Sequence, residues 1–213
     1  MQLMTGTRSR PLPWIDADLP PFLRRAYPMA MPAVQVPRFA VDDLDAFPSD
    51  GNRYELLDGA LLVTPAPGLP HQLVATRLIC ELHLFLRDRP EADVVGPGVV
   101  ELRPRTHLEP DILVVPRHRA NGATWNDIRH WWLAVEVLSP SSRAYDCLFK
   151  RDAYLAPGVR EVWLVALDAQ SVLVSRRGGP IDERFQGRLL WRPDGIEGEV
   201  LLDLGKVFEA LDG

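Results

Sequence analysis

The sequence predicts an α/β or α+β fold built around a mixed central sheet, and three observations support this. Apolar runs rich in Val, Ile and Leu at 111–115, 131–138 and 159–167 are typical of strands buried on both faces. Residues 71–87 carry apolar side chains at the spacing of a helix with a broad buried face. The elements follow one another as helix, three strands, helix and strands, without a repeat or a dividing linker.

The amino-terminal part contains three predicted segments. Residues 1–38 are rich in proline and are predicted to form an arm outside a single domain at 39–213. Residues 54–63 predict a β-hairpin, because Asp58-Gly59 is a strong two-residue turn signal between apolar runs. The helix at 71–87 follows a rigid proline-containing loop.

The remaining elements complete the predicted core. Strands are expected at 93–102, 111–115 and 131–138. A second helix would start with Ser141 or Ser142 as its N-cap and end at Pro157-Gly158. Further strands at 159–167 and 171–175, and a short helix at 204–211, follow.

Composition limits the classes of function. The chain has 213 residues, 46% of them hydrophobic, and a net charge of −5, which disfavours a non-specific nucleic-acid coat protein but not a nuclease. Cys80 and Cys147 lack the spacing of a zinc or redox motif, so we expect a reduced, cytoplasmic location. No apolar run is long enough to span a bilayer, and no membrane partner is expected.

Two carboxylates in apolar strands carry the strongest chemical signal. Asp111 lies at the start of one run and Glu136 lies inside the next. A carboxylate in such a strand is costly unless a cation or hydrogen-bond donors meet it. Period-two alternation allows both side chains to face one pocket, an oxygen-lined site suited to Mg²⁺ or Mn²⁺. The alternative is that Asp111 is a loop carboxylate and Glu136 an edge-strand residue.

The second predicted helix supplies a cation. Asp146, Lys150 and Tyr154 are spaced by four residues and therefore lie on one side of the helix. An Asp146–Lys150 ion pair on a solvated face is one explanation of this spacing. Because the helix directly follows the Glu136 strand, Lys150 would alternatively orient an attacking water or stabilise phosphorane charge.

Several of these segments, in this order, resemble a known family. They are Tyr54-Glu-Leu-Leu-Asp-Gly, Pro65-Ala-Pro with His71-Gln72, Pro110-Asp111, Val135-Glu-Val-Leu-Ser-Pro-Ser141, Tyr145-Asp146 with Lys150 and Tyr154, and Gly158-Val-Arg-Glu-Val-Trp-Leu-Val165. The pattern over roughly residues 38–210 is similar to the Uma-two family of restriction endonucleases, in the PD-(D/E)XK nuclease superfamily. The resemblance implies a restriction-endonuclease-like core of a helix, three antiparallel strands, a second helix and a further parallel strand.

The resemblance also implies roles for individual residues. Asp111 would be the metal-binding aspartate of the Pro-Asp motif, Glu136 the second acid, and the Val137 carbonyl a further Mg²⁺ or Mn²⁺ ligand. The superfamily pattern has lysine two residues after the second acid, where this chain has Leu138. Lys150 is then the candidate for a catalytic lysine that has moved to the following helix.

Glu55 and His71 are possible additional site residues. Glu55 would add a third carboxylate or a water-bridged ligand, although an exposed strand residue is an equal alternative. His71 opens the first predicted helix, where it would contact phosphate or shuttle a proton. A histidine held by local hydrogen bonds is the alternative for that position.

Together these observations predict a magnesium-dependent endonuclease that hydrolyses DNA phosphodiester bonds. A catalytically inactive nuclease-fold binding or assembly module is the alternative, favoured by Leu138 and by the acidic composition. A hydrolase of RNA or of a smaller phosphodiester is a third possibility. Cutting both strands with so short a chain would require a homodimer. The sequence identifies neither a target sequence nor a partner methyltransferase.

Overall fold

The computed structural model describes residues 38–117, 124–138 and 149–211. The predicted arm therefore lies outside the described residues, apart from Arg38. The same is true of the N-cap candidates Ser141 and Ser142 and of Asp146, and the structure leaves these predictions untested. No helix of the described ranges is long and apolar enough to cross a bilayer.

The first half of the described chain forms a hairpin, one long helix and several short strands. A 3-10 turn at Val41–Ala46 precedes them. In chain order the elements are β1 (Arg53–Leu57), β2 (Ala60–Thr64), α1 (Leu69–Leu86), β3 (Ala92–Val95), β4 (Val100–Leu102), β5 (Thr106–Leu108) and β6 (Ile112–Pro116).

The second half supplies the longest strands. A 3-10 turn at Trp125–Asp127 leads into them. The elements are β7 (Trp131–Leu138), α2 (Arg151–Leu155), β8 (Val159–Ala166), β9 (Ser171–Arg176), β10 (Glu183–Phe185), β11 (Arg188–Trp191), β12 (Val200–Asp203) and α3 (Leu204–Val207).

A six-stranded sheet forms the centre, in the order β10-β9-β8-β7-β6-β3. β6 is antiparallel to both of its neighbours, β3 and β7, and β8 runs parallel to β7 after the crossover that contains α2. The predicted order of helix, three antiparallel strands, helix and parallel strand is thus confirmed, with α1 as the first helix. The mixed α+β fold class is confirmed as well.

A four-stranded sheet, in the order β2-β1-β5-β4, forms a second layer. The predicted hairpin is present, and Asp58 and Gly59 take φ values of 47° and 80°, the left-handed pair that a type I′ turn requires. The predicted strand at 93–102 is instead two strands in two sheets. Gly96-Pro97-Gly98 interrupts it, because proline cannot donate to a ladder and glycine weakens a strand. β5 was not predicted.

Each face of the central sheet packs against a different layer. One face carries Ile112, Val114 and Val135 and shares a core with Val74 and Leu78 of α1. The other face carries Leu113, Ala134 and Val162 and shares a core with Val100 and Leu108 of the smaller sheet. Alternation along β6 and β7 places Asp111 and Glu136 on this second face, towards the smaller sheet.

Candidate active site

Asp111 and Glu136 face each other across two neighbouring strands. Ile112 pairs with Val135 in the antiparallel ladder of β6 and β7, so the next position of the ladder sets Asp111 opposite Glu136. Side chains of directly opposed residues lie on the same face, with Cβ atoms about 5 Å apart. Both carboxylates are buried, with 6% and 2% of their surface exposed. Both side chains therefore lie on the same face of the sheet, as the alternation predicted.

Three donors hold the Asp111 carboxylate. The Val137 amide donates to Oδ2 at 2.8 Å, and His71 Nε2 lies 3.1 Å from the same oxygen. Arg53 Nη1 donates to Oδ1 at 3.1 Å. Burial by itself would raise the pKa of Asp111, but His71, Arg53 and the Val137 amide together hold that pKa below its ordinary value. The carboxylate is therefore ionised at neutral pH.

Lys150 joins two carboxylates from different sheets. Its Nζ lies 3.2 Å from Glu136 Oε1 on β7 and 2.8 Å from Glu55 Oε2 on β1. The other oxygen of Glu55 accepts a hydrogen bond from the Glu109 amide at 2.8 Å. Lys150 and Glu55 are both buried. The two sheets are thus connected by a buried carboxylate–ammonium–carboxylate bridge.

Tyr154 is a further partner of Glu136. Its hydroxyl donates to Glu136 Oε1 at 2.5 Å, the same oxygen that Lys150 approaches. Burial, followed by the nearby charges of Glu136 and Glu55, raises the pKa of the Tyr154 phenol well above its ordinary value. The phenol therefore stays protonated and acts as a permanent donor.

All five predicted site side chains meet in this cluster, namely Asp111, Glu136, Lys150, Glu55 and His71. The interpretations of Glu55 as an exposed strand residue and of Lys150 as a solvated helix residue are incompatible with their burial. Val137 contributes its amide to Asp111, and its carbonyl as a metal ligand stays a prediction.

Sequence reasoning assigned no role to Arg53 or Tyr154, although both contact the acids. Their spacing contained a signal. Arg53 stands two residues before Glu55 on one strand, and Tyr154 stands four residues after Lys150, so each pair shares one side of its element. Neither spacing becomes informative until the partner residue is known to be buried in a site.

The donor set fits a small, hard divalent cation. Glu55, Asp111 and Glu136 bring three carboxylates against the guanidinium of Arg53 and the ammonium of Lys150, so the formal charges of these five side chains sum to −1. Carboxylate oxygens are the ligands that Mg²⁺ and Mn²⁺ prefer.

Among the described residues, no group of three or more His, Cys, Asp or Glu side chains is arranged so that it could hold a metal ion by itself. Any ion bound here would need water or substrate oxygens among its ligands, as Mg²⁺ usually has.

Comparisons with known proteins identify the family. The profile of Uma2, described as "Putative restriction endonuclease", matches residues 41–204. None of the curated proteins compared with the chain matches it. A crystal structure of a "putative nuclease belonging to DUF820" from Anabaena variabilis is similar, with a TM-score of 0.66 and 19% identity over 80% of this chain and 97% of that one. At this identity the likeness establishes the fold. The family match covers most of the sequence, including all the residues of the acidic cluster formed by Glu55, Asp111 and Glu136 with their partners. The chain therefore belongs to the Uma2 family.

Proposed function

We propose that the protein is a metal-dependent endonuclease that hydrolyses DNA phosphodiester bonds. The observation that supports this is the opposition of Asp111 and Glu136 across β6 and β7, with the Lys150 ammonium 3.2 Å from Glu136. Two acids and an amine in one cluster match the chemistry of metal-assisted phosphodiester hydrolysis. Family membership supports a nuclease, and DNA is the substrate that the description of the family suggests.

Asp111 and Glu136 would hold Mg²⁺ or Mn²⁺, with the Val137 carbonyl as a third protein ligand. A bound ion would lower the pKa of a water ligand and offset the charge of the scissile phosphate. Lys150 would orient the attacking water or stabilise the charge that develops on the phosphoryl group. Its ion pair with Glu55 holds the ammonium in place for this role.

His71 and Arg53 would act by holding Asp111. They contact different oxygens of the carboxylate, which fixes the orientation of the group. Such outer contacts tune metal affinity and geometry by keeping a ligand in one rotamer. His71 Nδ1 is buried without a hydrogen-bond partner among the described residues, so this atom is available to a water or to substrate.

The test is cleavage of plasmid and linear DNA with Mg²⁺ or Mn²⁺ by Asp111→Asn and Glu136→Gln. Each substitution keeps the size of the side chain and removes its charge, so we expect cleavage to fall by about two orders of magnitude or more. Asp88→Asn is the matched control, because it makes the same charge change at an exposed residue. An unchanged rate in Asp111→Asn would remove the assignment.

A second candidate is a nuclease-fold binding module without catalysis. Two observations favour it: Leu138 occupies the lysine position of the superfamily, and Lys150 is engaged by two carboxylates. Calorimetric titration with Mn²⁺ separates the candidates. A saturable signal that Glu136→Gln abolishes supports the enzyme, whereas no binding at millimolar metal supports the module. Parallel assays on single-stranded DNA, duplex DNA and RNA would separate DNA cleavage from the RNA alternative.

Homodimerisation is part of the proposal, since two active sites are needed to cut both strands of a duplex. Sedimentation or light scattering at assay concentration tests it directly. A monomer that nicks only one strand would contradict the dimer while leaving the metal site intact. The proposal also places the protein in the reducing cytoplasm, where the exposed thiol of Cys80 would stay reduced.

A further inference from the structure

A cavity of about 560 Å³ adjoins the acidic cluster. Its walls come from the 3-10 turn at Val41–Ala46 and from residues of β1, β4 and β5, and they include Arg53 and Glu109. The same Arg53 guanidinium lies 3.1 Å from Asp111 Oδ1 and 3.1 Å from the Glu109 carbonyl. Arg53 therefore forms both the wall of the cavity and the edge of the proposed active site.

The walls of this cavity are acidic. Asp42, Asp45, Glu101 and Glu109 bring four carboxylates, against the two guanidinium groups of Arg53 and Arg103. His107 lies between Glu101 and Glu109, at 3.2 and 3.4 Å. The net charge of the walls stays negative whether or not His107 carries a proton. Such a surface repels phosphate and accepts hydrogen bonds from N–H donors.

One wall of the cavity also offers a fixed aromatic ring. Tyr54 stacks on Phe47 with ring centroids 5.0 Å apart and an interplanar angle of 27°. The Tyr54 hydroxyl donates to Asp50 Oδ2 at 2.8 Å, which holds the far end of the ring. A rigid aromatic surface beside carboxylate acceptors is the combination that binds a planar ring bearing amino groups.

We propose that this cavity receives an unpaired nucleobase with an exocyclic amino group, from the nucleotide next to the scissile phosphate. The inference rests on the proposed nuclease function, because a substrate held at Asp111 extends past Arg53 into the cavity. The sugar–phosphate backbone stays beside Arg53, and the carboxylates of the walls accept hydrogen bonds from the amino group of the base. Aspartate and glutamate accept from the amino group of cytosine in this manner.

This location favours a base over other donor-bearing partners, such as an amine of a peptide. Substrate in the active site is contiguous with the cavity through one side chain, so the neighbouring part of the same molecule is the natural occupant. The requirement for an unpaired base makes single-stranded or locally opened DNA the preferred substrate.

The experiment measures fluorescence anisotropy of short labelled oligo-dC and oligo-dT with the full chain, in metal-free buffer at pH 7.5. Cytosine has an amino group where thymine has a carbonyl, so we expect oligo-dC to bind about tenfold more tightly. Glu109→Gln should reduce this preference to about threefold or less, and Tyr54→Ala should weaken the binding of both oligonucleotides. Asp88→Asn, with the same loss of charge at a distant exposed site, should behave as wild type.

Equal affinity of the wild type for the two oligonucleotides would overturn the base pocket, as would a preference that survives both cavity substitutions. A change in Mn²⁺ affinity without a change in base preference in Glu109→Gln would instead make the cavity a cation site, which also overturns the inference. The proposed function fails separately, through unchanged cleavage in Asp111→Asn. Metal-dependent cleavage without any base preference would contradict the base pocket and leave the proposed nuclease function standing.

Discussion

Replacing Lys150 by methionine tests the physical basis of the site directly. Lys150 is 2% exposed and lies between Glu55 Oε2 and Glu136 Oε1. Lys150→Met keeps most of the side-chain volume and removes the ammonium. Two buried carboxylates then lose the cation they share, and the charge of the cluster changes from one net negative charge to two.

The expected loss of stability follows from that geometry. Removing one partner of a buried ion pair typically costs about 3–5 kcal/mol, because the remaining charge is left uncompensated. For a domain of this size, 1 kcal/mol corresponds to about 2–4 °C in melting temperature, so we expect a decrease of roughly 6–20 °C. Arg53 stays near Asp111 and offsets part of the charge, which places the expected value towards the lower end.

The assay is urea unfolding at pH 7.5, followed by circular dichroism, for Lys150→Met, Glu136→Gln and the double variant. If uncompensated charge is the cause, Glu136→Gln should recover at least about 1 kcal/mol of the loss in the Lys150→Met background. Divalent metal should stabilise Lys150→Met more than the wild type. Arg87→Ala, which breaks an exposed ion pair with Asp88, serves as the control and should change stability by less than about 0.5 kcal/mol. A loss below about 1 kcal/mol in Lys150→Met, or additive behaviour of the two substitutions, would refute the reasoning.

Three further predictions address neighbouring features. Tyr154→Phe removes the hydroxyl that donates to Glu136 at 2.5 Å and should weaken Mn²⁺ binding, measured by calorimetry, by about tenfold. Tyr54→Phe should leave Mn²⁺ affinity unchanged. Equal Mn²⁺ affinities in the two variants would contradict the role of Tyr154. Burial lowers the pKa of His107, but the hydrogen bonds to Glu109 and Glu101 outweigh burial and raise that pKa above its ordinary value. Protonated His107 therefore stabilises the fold fully below pH 6.5, and this stabilisation is lost as pH rises through the pKa of the folded state. Urea unfolding measured at a series of pH values above 6.5 should show a smaller fall in the free energy of unfolding for His107→Gln than for the wild type. His83→Gln, a change on the exposed side of α1, should behave as the wild type. Gly59→Ala should lower the free energy of unfolding by about 1–2 kcal/mol because a side chain at φ 80° is strained, and by more because the new Cβ would lie 3.0 Å from the Phe39 carbonyl oxygen. Gly51→Ala, at φ 86° with no atom within 4 Å of the new Cβ, should lower it less.

Local pattern was enough to predict the elements that form the core. Alternation and apolar runs predicted the hairpin, β6, β7 and β8, because buried strands need continuous β-branched and aliphatic side chains. The Asp58-Gly59 turn was equally predictable, since few residue pairs adopt left-handed backbone in succession. Asp111 and Glu136 stood out for a related reason: a carboxylate in such a strand requires a partner.

Residues whose importance depends on a neighbouring layer could not be found in this way. Arg53 and Tyr154 are ordinary polar residues in the sequence and become part of the site only when β1 and the α2 region pack over β6 and β7. The division of the predicted 93–102 strand has the same origin. Its halves pair with different sheets, and a local pattern contains no information about which partner a strand will find.

The sequence by itself thus determined the core elements and the acids at the centre of the site, because the pattern of apolar and charged residues that decides burial is local. The family was indicated by the resemblance of its motifs and shown by the family match. Only the tertiary structure decided that Lys150 joins Glu55 to Glu136, that His71 and Arg53 share the oxygens of Asp111, and that an acidic cavity lies beside them. These contacts join residues up to 95 positions apart, as between Lys150 and Glu55. They depend on strand register and on the packing of two sheets, which are properties of the whole chain.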